Sequence, residues 1–394
     1  MSVPPSPPSA PSSSSPAPGV DARWRGARRV LAVRLDQMGD VVMTTPALHA
    51  LREALPQAHV TLLTSPSGAA LAPCLDAVDA VIAAEVPWMK LRTGTEGARP
   101  GDAEAALVAR LAAGAFDAAV IFTVCTQSPL PAAMLCRLAG IPLALAHCRE
   151  NPYALLSHWV RDTEQVADGM RHEVQRQLDL VAHLGGPRPA DTRLRLHLRP
   201  CDHAAAAAAC AAAGLAAGRP YLLVHPGATA ASRRWPARRF GEAAERIAQA
   251  GALDVVFTGG PGEQPLIDEA RAAMRRPAVS LAGQLDVPGL AALVQAARLV
   301  LTNNSGPSHL AAAVGTPVVT LYAQTNPQHT PWQARARVLW QDVPCRHCLK
   351  SVCPQGHHRC LLDVGTTQVV DAALALLPAA APGRSEARPP SRSA

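Results

Sequence analysis

The feature that most constrains this 394-residue sequence is an alternation that runs twice. In the first run, short apolar segments lie at Val30–Arg34, His59–Leu63, Ala77–Ala83, Asp117–Thr123 and Leu143–His147. Helical stretches at Pro46–Leu55, Ala103–Ala113 and Pro129–Leu138 separate them. Strands alternating with helices predict βαβ units and a parallel sheet. A helical stretch near Val174–Leu184 and a polar link follow, and the alternation restarts. Its strands are Tyr221–His225, Asp254–Thr258, Val279–Leu281, Leu299–Thr302 and Val318–Leu321. Its helices are Ala204–Ala213, Phe240–Ala250, Gln264–Met274, Val287–Ala297 and Ser308–Val314, with Thr367–Leu377 closing the chain. The expected class is α/β: two Rossmann-like domains with a cleft between their strand ends, where open parallel sheets bind ligands.

Composition narrows what such a cleft can hold. The net charge of +7 invites a nucleic-acid reading, but +5 of it sits in residues 1–29 and 383–394. Only 3 % of residues are aromatic, so the stacking platform and basic track of a nucleic-acid groove are missing. The charge inside the body is polarised, −2 over residues 30–199 and +4 over 200–382, which suits an anionic ligand held by the second half. No apolar run reaches the roughly 20 residues of a membrane span, and no signal-peptide core opens the chain. A cytoplasmic protein is expected.

The division expected from this pattern has five parts. Residues 1–24 are a disordered Pro/Ser-rich tail. Residues 25–190 form the first domain and 191–362 the second, with a Cys-rich segment at 345–360. Residues 363–379 are a terminal helix, and 380–394 a second disordered tail.

Four loops that follow strands carry candidate chemistry. In Arg34-Leu-Asp-Gln-Met-Gly-Asp40, Gly39 permits a tight turn and Asp40 stands at the cleft mouth. Asp40 either closes the turn or serves as a general base for a hydroxyl. Thr45-Pro46 reads as a helix start with Pro at the first position. The second loop, His225-Pro-Gly-Ala-Thr229 with Arg233-Arg234-Trp-Pro, offers either donors from Gly227 and Thr229 with a phosphate grip from Arg233 and Arg234, or an ordinary strand–loop–helix connection with two solvated arginines. The third, Thr258-Gly-Gly-Pro-Gly-Glu263, offers Glu263 either to a ribose diol or as a helix-start residue. The fourth is the most specific: Asn303-Asn304-Ser305-Gly306-Pro307-Ser308-His309 places free N–H groups and a His at a helix start, an anion site. A fifth segment, Cys345-x2-Cys348-x4-Cys353-x6-Cys360, reads as a structural zinc or iron knot, two disulfides or free thiols. The other six cysteines read as small core residues.

Taken in order, these motifs resemble the family 9 glycosyltransferases, the ADP-heptose:lipopolysaccharide heptosyltransferases, over roughly residues 29–378. The resemblance implies a GT-B fold whose C-terminal helix crosses back onto the N-terminal domain. It implies an inverting transfer of heptose from ADP-L-glycero-D-manno-heptose to a lipopolysaccharide inner-core acceptor, with no metal needed for catalysis. On that pattern Asp40 is the base, with Met38 and Gly39 in its acceptor-side loop. Thr229 and Arg233 meet the diphosphate and Glu263 the ribose, and Asn304, Ser305, Gly306, Ser308 and His309 form the donor loop. Two positions depart from the family: Asn304 stands where Asp is usual, and Arg233 where Lys is usual. Asn303 is a candidate to make up for the first change. A different nucleotide sugar, a protein acceptor or a non-catalytic donor-binding relative are the alternatives. The implied partners are ADP-heptose and a lipid-linked oligosaccharide, with peripheral contact at the inner membrane through Arg23–Arg29 and no nucleic acid.

Overall fold

The computed structural model describes residues 20–89, 99–186 and 188–377. The expected tail at 380–394 and most of the one at 1–24 lie outside these. The first sheet contains β1 (Arg29–Arg34), β2 (His59–Thr64), β3 (Ala80–Ala83), β4 (Ala118–Ile121), β5 (Leu143–Cys148) and β6 (His158–Arg161), in spatial order 3-2-1-4-5-6. The second contains β7 (Tyr221–His225), β8 (Asp254–Phe257), β9 (Val279–Ser280), β10 (Leu299–Asn303), β11 (Val318–Leu321) and β12 (Ala336–Leu339), in order 12-11-10-7-8-9. Every pairing is parallel. The central strands are apolar along their length because helices cover both faces. In each sheet the order reverses beside the first strand, so each half has its switch point at β1 or β7.

The two halves meet through helices. Met38–Ala54, which follows β1, packs against Gly306–Val314, which follows β10. One apolar cluster runs through both, joining Val41 and Leu48 to Leu293 and Leu310. This contact brings the carboxyl ends of β1, β7 and β10 to a common cleft.

Three expectations change. The helix after β1 starts at Met38 rather than Pro46, with Gln37 and Asp40 forming a capping box. Pro46 therefore sits inside the helix, and Thr45 Oγ1 donates to the Val42 carbonyl (2.8 Å) that the missing proline N–H leaves free. The N-terminal tail ends earlier than residue 24, because Ala22–Arg25 is helical and Trp24 is fully buried, its indole N–H 3.3 Å from His158 Nδ1. The last helix, Thr366–Leu374, packs on Ala237–Gly251 and on β11 and β12 of the second half. Its apolar face of Val369, Val370 and Ala373 is buried with Phe240 and Ile247, so among the described residues it does not cross back as the resemblance implied. Of the six scattered cysteines, Cys74, Cys125, Cys136 and Cys148 are buried, Cys210 is half-buried and Cys201 is exposed.

Candidate active site

Strand β1 ends on Arg34, whose side chain is entirely buried. Each of its three nitrogens faces a carboxylate: Nε lies 3.0 Å from Asp36 Oδ2, Nη1 2.9 Å from Glu173 Oε1 and Nη2 3.5 Å from Asp40 Oδ1. Burial alone would weaken the guanidinium's hold on its proton, but Asp36, Glu173 and Asp40 together keep it firmly cationic. Burial pushes all three carboxyls above their ordinary range, and Arg34 pulls each back. Asp36 also accepts from Gln127 Nε2 at 2.7 Å. Asp40 keeps a fifth of its side chain exposed, toward the cleft.

The second half supplies the facing loops. After β7, His225 is buried, with Nδ1 3.2 Å from Thr258 Oγ1 and Nε2 3.7 Å from Glu263 Oε2. Glu263 accepts from the Gly260 N–H at 2.8 Å and lies so close to Gly227 that a Cβ there would sit 2.0 Å from its Oε1. Glu263 thus caps its own short helix and ties the second loop to the third. Asn303 Nδ2 donates to the Pro226 carbonyl at 2.7 Å, and Asn303 Oδ1 accepts from the Trp235 N–H at 3.0 Å. Both ends of Asn303 hold the His-Pro-Gly loop in place, so it is not free to make up for Asn304. Asn304 is buried beside the Tyr322 hydroxyl.

Helix Gly306–Val314 opens at Ser305, with Ser308 Oγ donating to the Ser305 carbonyl at 2.7 Å. His309 is buried in its first turn, and its Nδ1 has no hydrogen-bond partner. Burial, then the nearby His172 and Arg233, push its pKa down to about 3, so the ring is neutral at physiological pH.

The first and fourth motifs touch across the cleft. A Cβ on Gly39 would lie 2.9 Å from His309 Cδ2, and one on Gly306 2.2 Å from Met38 Cε. Gly39 therefore serves close approach between halves rather than a turn. Arg233 is near enough to Asp40 to pull its pKa down, and among the described residues no carboxylate pairs with it. Thr229 is exposed in the same loop. Sequence reasoning assigned no role to Arg34 and Asp36, although both stand in the quoted motif. Glu173, Tyr322 and His329 carried no signal, since only folding brings them to the cleft.

The four sulfurs of the Cys-rich segment are unpaired in the structure, and each cysteine is half-buried. Among the described residues no three His, Cys, Asp or Glu side chains are grouped to hold a metal ion, so this segment does not fit the expected zinc or iron knot. Its backbone braces the second loop: Ser232 N donates to the Ser351 carbonyl (3.0 Å) and Ser232 Oγ to the Lys350 carbonyl (2.6 Å). It also reaches the first half, where Arg346 and His347 lie 3.0 and 3.3 Å from Asp168.

The family model described as glycosyltransferase family 9 (heptosyltransferase) matches residues 105–358. The chain belongs to glycosyltransferase family 9. Among relatives of this family 9 enzyme, lipopolysaccharide heptosyltransferase 1 of Pseudomonas aeruginosa is 29 % identical over 86 % of this chain and 92 % of its own length. The solved family 9 glycosyltransferase of Veillonella parvula superimposes with a TM-score of 0.73 at 23 % identity, over 89 % of this chain and 97 % of that one. The E. coli ADP-heptose lipopolysaccharide heptosyltransferase II does so with a TM-score of 0.69 at 23 % identity, over 88 % and 98 %. The fold of this glycosyltransferase is accordingly GT-B, two facing α/β halves.

Proposed function

We propose that this glycosyltransferase moves heptose from ADP-L-glycero-D-manno-heptose to a hydroxyl of a lipopolysaccharide inner-core acceptor, inverting the anomeric centre. The observation that supports the reading is the close approach of Met38 and Gly39, next to Asp40 in the first turn of their helix, to Gly306 and His309 at the facing helix start. The name of the Pseudomonas relative supports the sugar and the acceptor.

In the proposed step Asp40 takes the proton of the acceptor hydroxyl. The hydroxyl oxygen bonds to the anomeric carbon from one face. The bond from that carbon to the diphosphate oxygen breaks on the other face, and its electron pair leaves with ADP. Burial makes Asp40 a stronger base than an exposed carboxylate, while Arg34 and Arg233 oppose that rise. Arg233, Thr229 and the free N–H groups at Gly306–Ser308 meet the charge that develops on the departing diphosphate. Neutral His309 offers one ring nitrogen as a donor. The step uses no metal ion.

The test is Asp40→Asn with ADP-heptose and purified acceptor. ADP release is expected to fall by roughly 10³-fold while ADP still binds. Turnover near that of the wild type would remove the assignment. Stabilisation in a thermal-shift screen by UDP- or GDP-sugars and not by ADP-heptose would remove the donor.

The proposed location is the cytoplasmic face of the inner membrane, reached by exposed Arg23, Arg25 and Arg28. Among the described residues no helix is long and apolar enough to cross a membrane. Because Trp24 is buried, the test substitutes Arg23 and Arg25 with Ser rather than deleting the segment. Unchanged membrane fractionation of that variant would count against peripheral binding.

A further inference from the structure

Asp40 is the end of a short chain of buried polar side chains that begins at His329 in the other half of the molecule. Arg34 Nη2 faces Asp40, and Arg34 Nη1 faces Glu173. Glu173 opens the helix Glu173–Ala182 and is fully buried. One of its oxygens, Oε1, takes Arg34 and a hydrogen bond from Gln177 Nε2. The other, Oε2, has no hydrogen-bond partner, and His329 Nε2 of the second half lies 3.9 Å from it. His329 is itself buried, and its Nε2 is also without a hydrogen bond. A buried carboxylate with one oxygen unmatched is costly, and a neutral side chain would serve packing better there. Its placement calls for another explanation.

We propose that Glu173 is a positioning residue for Asp40: it holds one end of the Arg34 guanidinium so that the other end orients the base, and it places a buried negative charge behind that base. The inference rests on Asp40 being the general base. No bond forms or breaks at Glu173. The Arg34 guanidinium is planar and rigid, so its ion pairs with Asp36 at Nε and Glu173 at Nη1 restrict the direction in which Nη2 meets Asp40. The charged and titratable groups that face this cluster are Arg34, Asp36 and Asp40 from the β1 loop, His172 and Arg176 beside Glu173, and Arg233, His309, Tyr322 and His329 from the second half. Among them, the negative charge of Glu173 raises the proton affinity of Asp40, opposing Arg34 and Arg233. A base with higher proton affinity drives the proton transfer harder, at the cost of protonating at higher pH.

The decisive variant is Glu173→Gln, which keeps the shape and removes the charge. Steady-state ADP release is measured from pH 5 to 9 with ADP-heptose and purified acceptor. The plateau kcat is expected to fall by roughly tenfold, with donor KM changing by less than about twofold. The acid limb of the kcat profile is expected to move to lower pH. A role in packing alone would lower the rate at every pH and leave the limb in place, and that result overturns the inference. An unchanged plateau overturns it as well. If Glu173→Gln does not fold, Glu173→Asp keeps the charge but shortens the reach to Arg34. It is expected to lower kcat by about fivefold with the limb unmoved, and wild-type kcat there sinks the inference. Asp40→Asn run in parallel separates the two readings. An active Asp40→Asn removes the base itself. An inactive one with an unmoved limb in Glu173→Gln removes only the role of Glu173.

Discussion

At the scale of single residues, the cleft depends on what is absent from two positions. Gly39 and Gly306 have no Cβ, and this lets Met38 and His309 cross the gap between the halves. Gly39→Ala would set a Cβ 2.9 Å from His309 Cδ2, too close for the ring to stay where it is. Gly39 is helical, so alanine favours the helix by about 1 kcal/mol. The expected outcome is therefore a folded protein whose melting temperature moves by only a few degrees, the helix preference for alanine opposing the clash, and whose kcat is lowered by about tenfold or more, since a displacement of that size at a site is costly. Wild-type kcat in Gly39→Ala would show that the close approach is not needed for turnover. The motifs single out Asp40 and His309 in the sequence because their residue types announce chemistry. Arg34 and Glu173 were not readable in the same way. An arginine at a strand end and a glutamate at a helix start are ordinary in both places, and their pairing appears only when folding puts 2.9 Å between them.

At the scale of elements, the alternating pattern was readable where strands are apolar on both faces. Strands β6 and β12 escaped because they are four-residue edge strands with polar and exposed positions. The start of the helix after β1 was misread because Pro46 looks like a first-turn residue, and the hydroxyl of Thr45 that rescues the Val42 carbonyl is a tertiary-scale detail. The Cys-rich segment makes a contribution that its spacing does not announce. Cysteine spacing speaks of metal, whereas what the segment contributes here is two backbone carbonyls to Ser232, next to Arg233. Ser232→Ala deletes the 2.6 Å bond to the Lys350 carbonyl and leaves that carbonyl unpaired. A loss of about 1–2 kcal/mol in holding the loop is expected, read as a rise in donor KM of roughly five- to tenfold. The melting temperature should change by only a few degrees. An unchanged donor KM would mean that the brace does not set the position of Arg233.

At the scale of the whole molecule, the joint between the halves has a titratable member. His172 Nε2 lies 2.9 Å from the Thr330 carbonyl of the second half, and His172 Nδ1 accepts from the Val174 N–H at 3.1 Å. Its ring stacks on Trp332 with centroids 4.5 Å apart. The neutral imidazole satisfies both contacts, donating from Nε2 and accepting at Nδ1, and the protonated ring cannot accept. Burial pushes its pKa down to about 4, with the Thr330 hydrogen bond opposing. Between the ordinary histidine value of about 6.5 and about 4, the unfolded chain takes up a proton that the folded one refuses, so stability falls as pH falls through that window. The loss approaches about 3 kcal/mol for this residue once pH is below 4. The raised carboxyls around Arg34 run the other way and gain protons in the folded state as pH falls, so the total slope mixes both. Comparing wild type with His172→Gln isolates the joint. Glutamine can still donate to Thr330 but does not titrate. Its melting temperature at pH 7 is expected to lie below that of the wild type, because the stacking on Trp332 is lost. The further drop from pH 7 to pH 4.5 is expected to be smaller than in the wild type. Parallel curves for the two proteins over that range would show that the contact between the halves is indifferent to the protonation of His172.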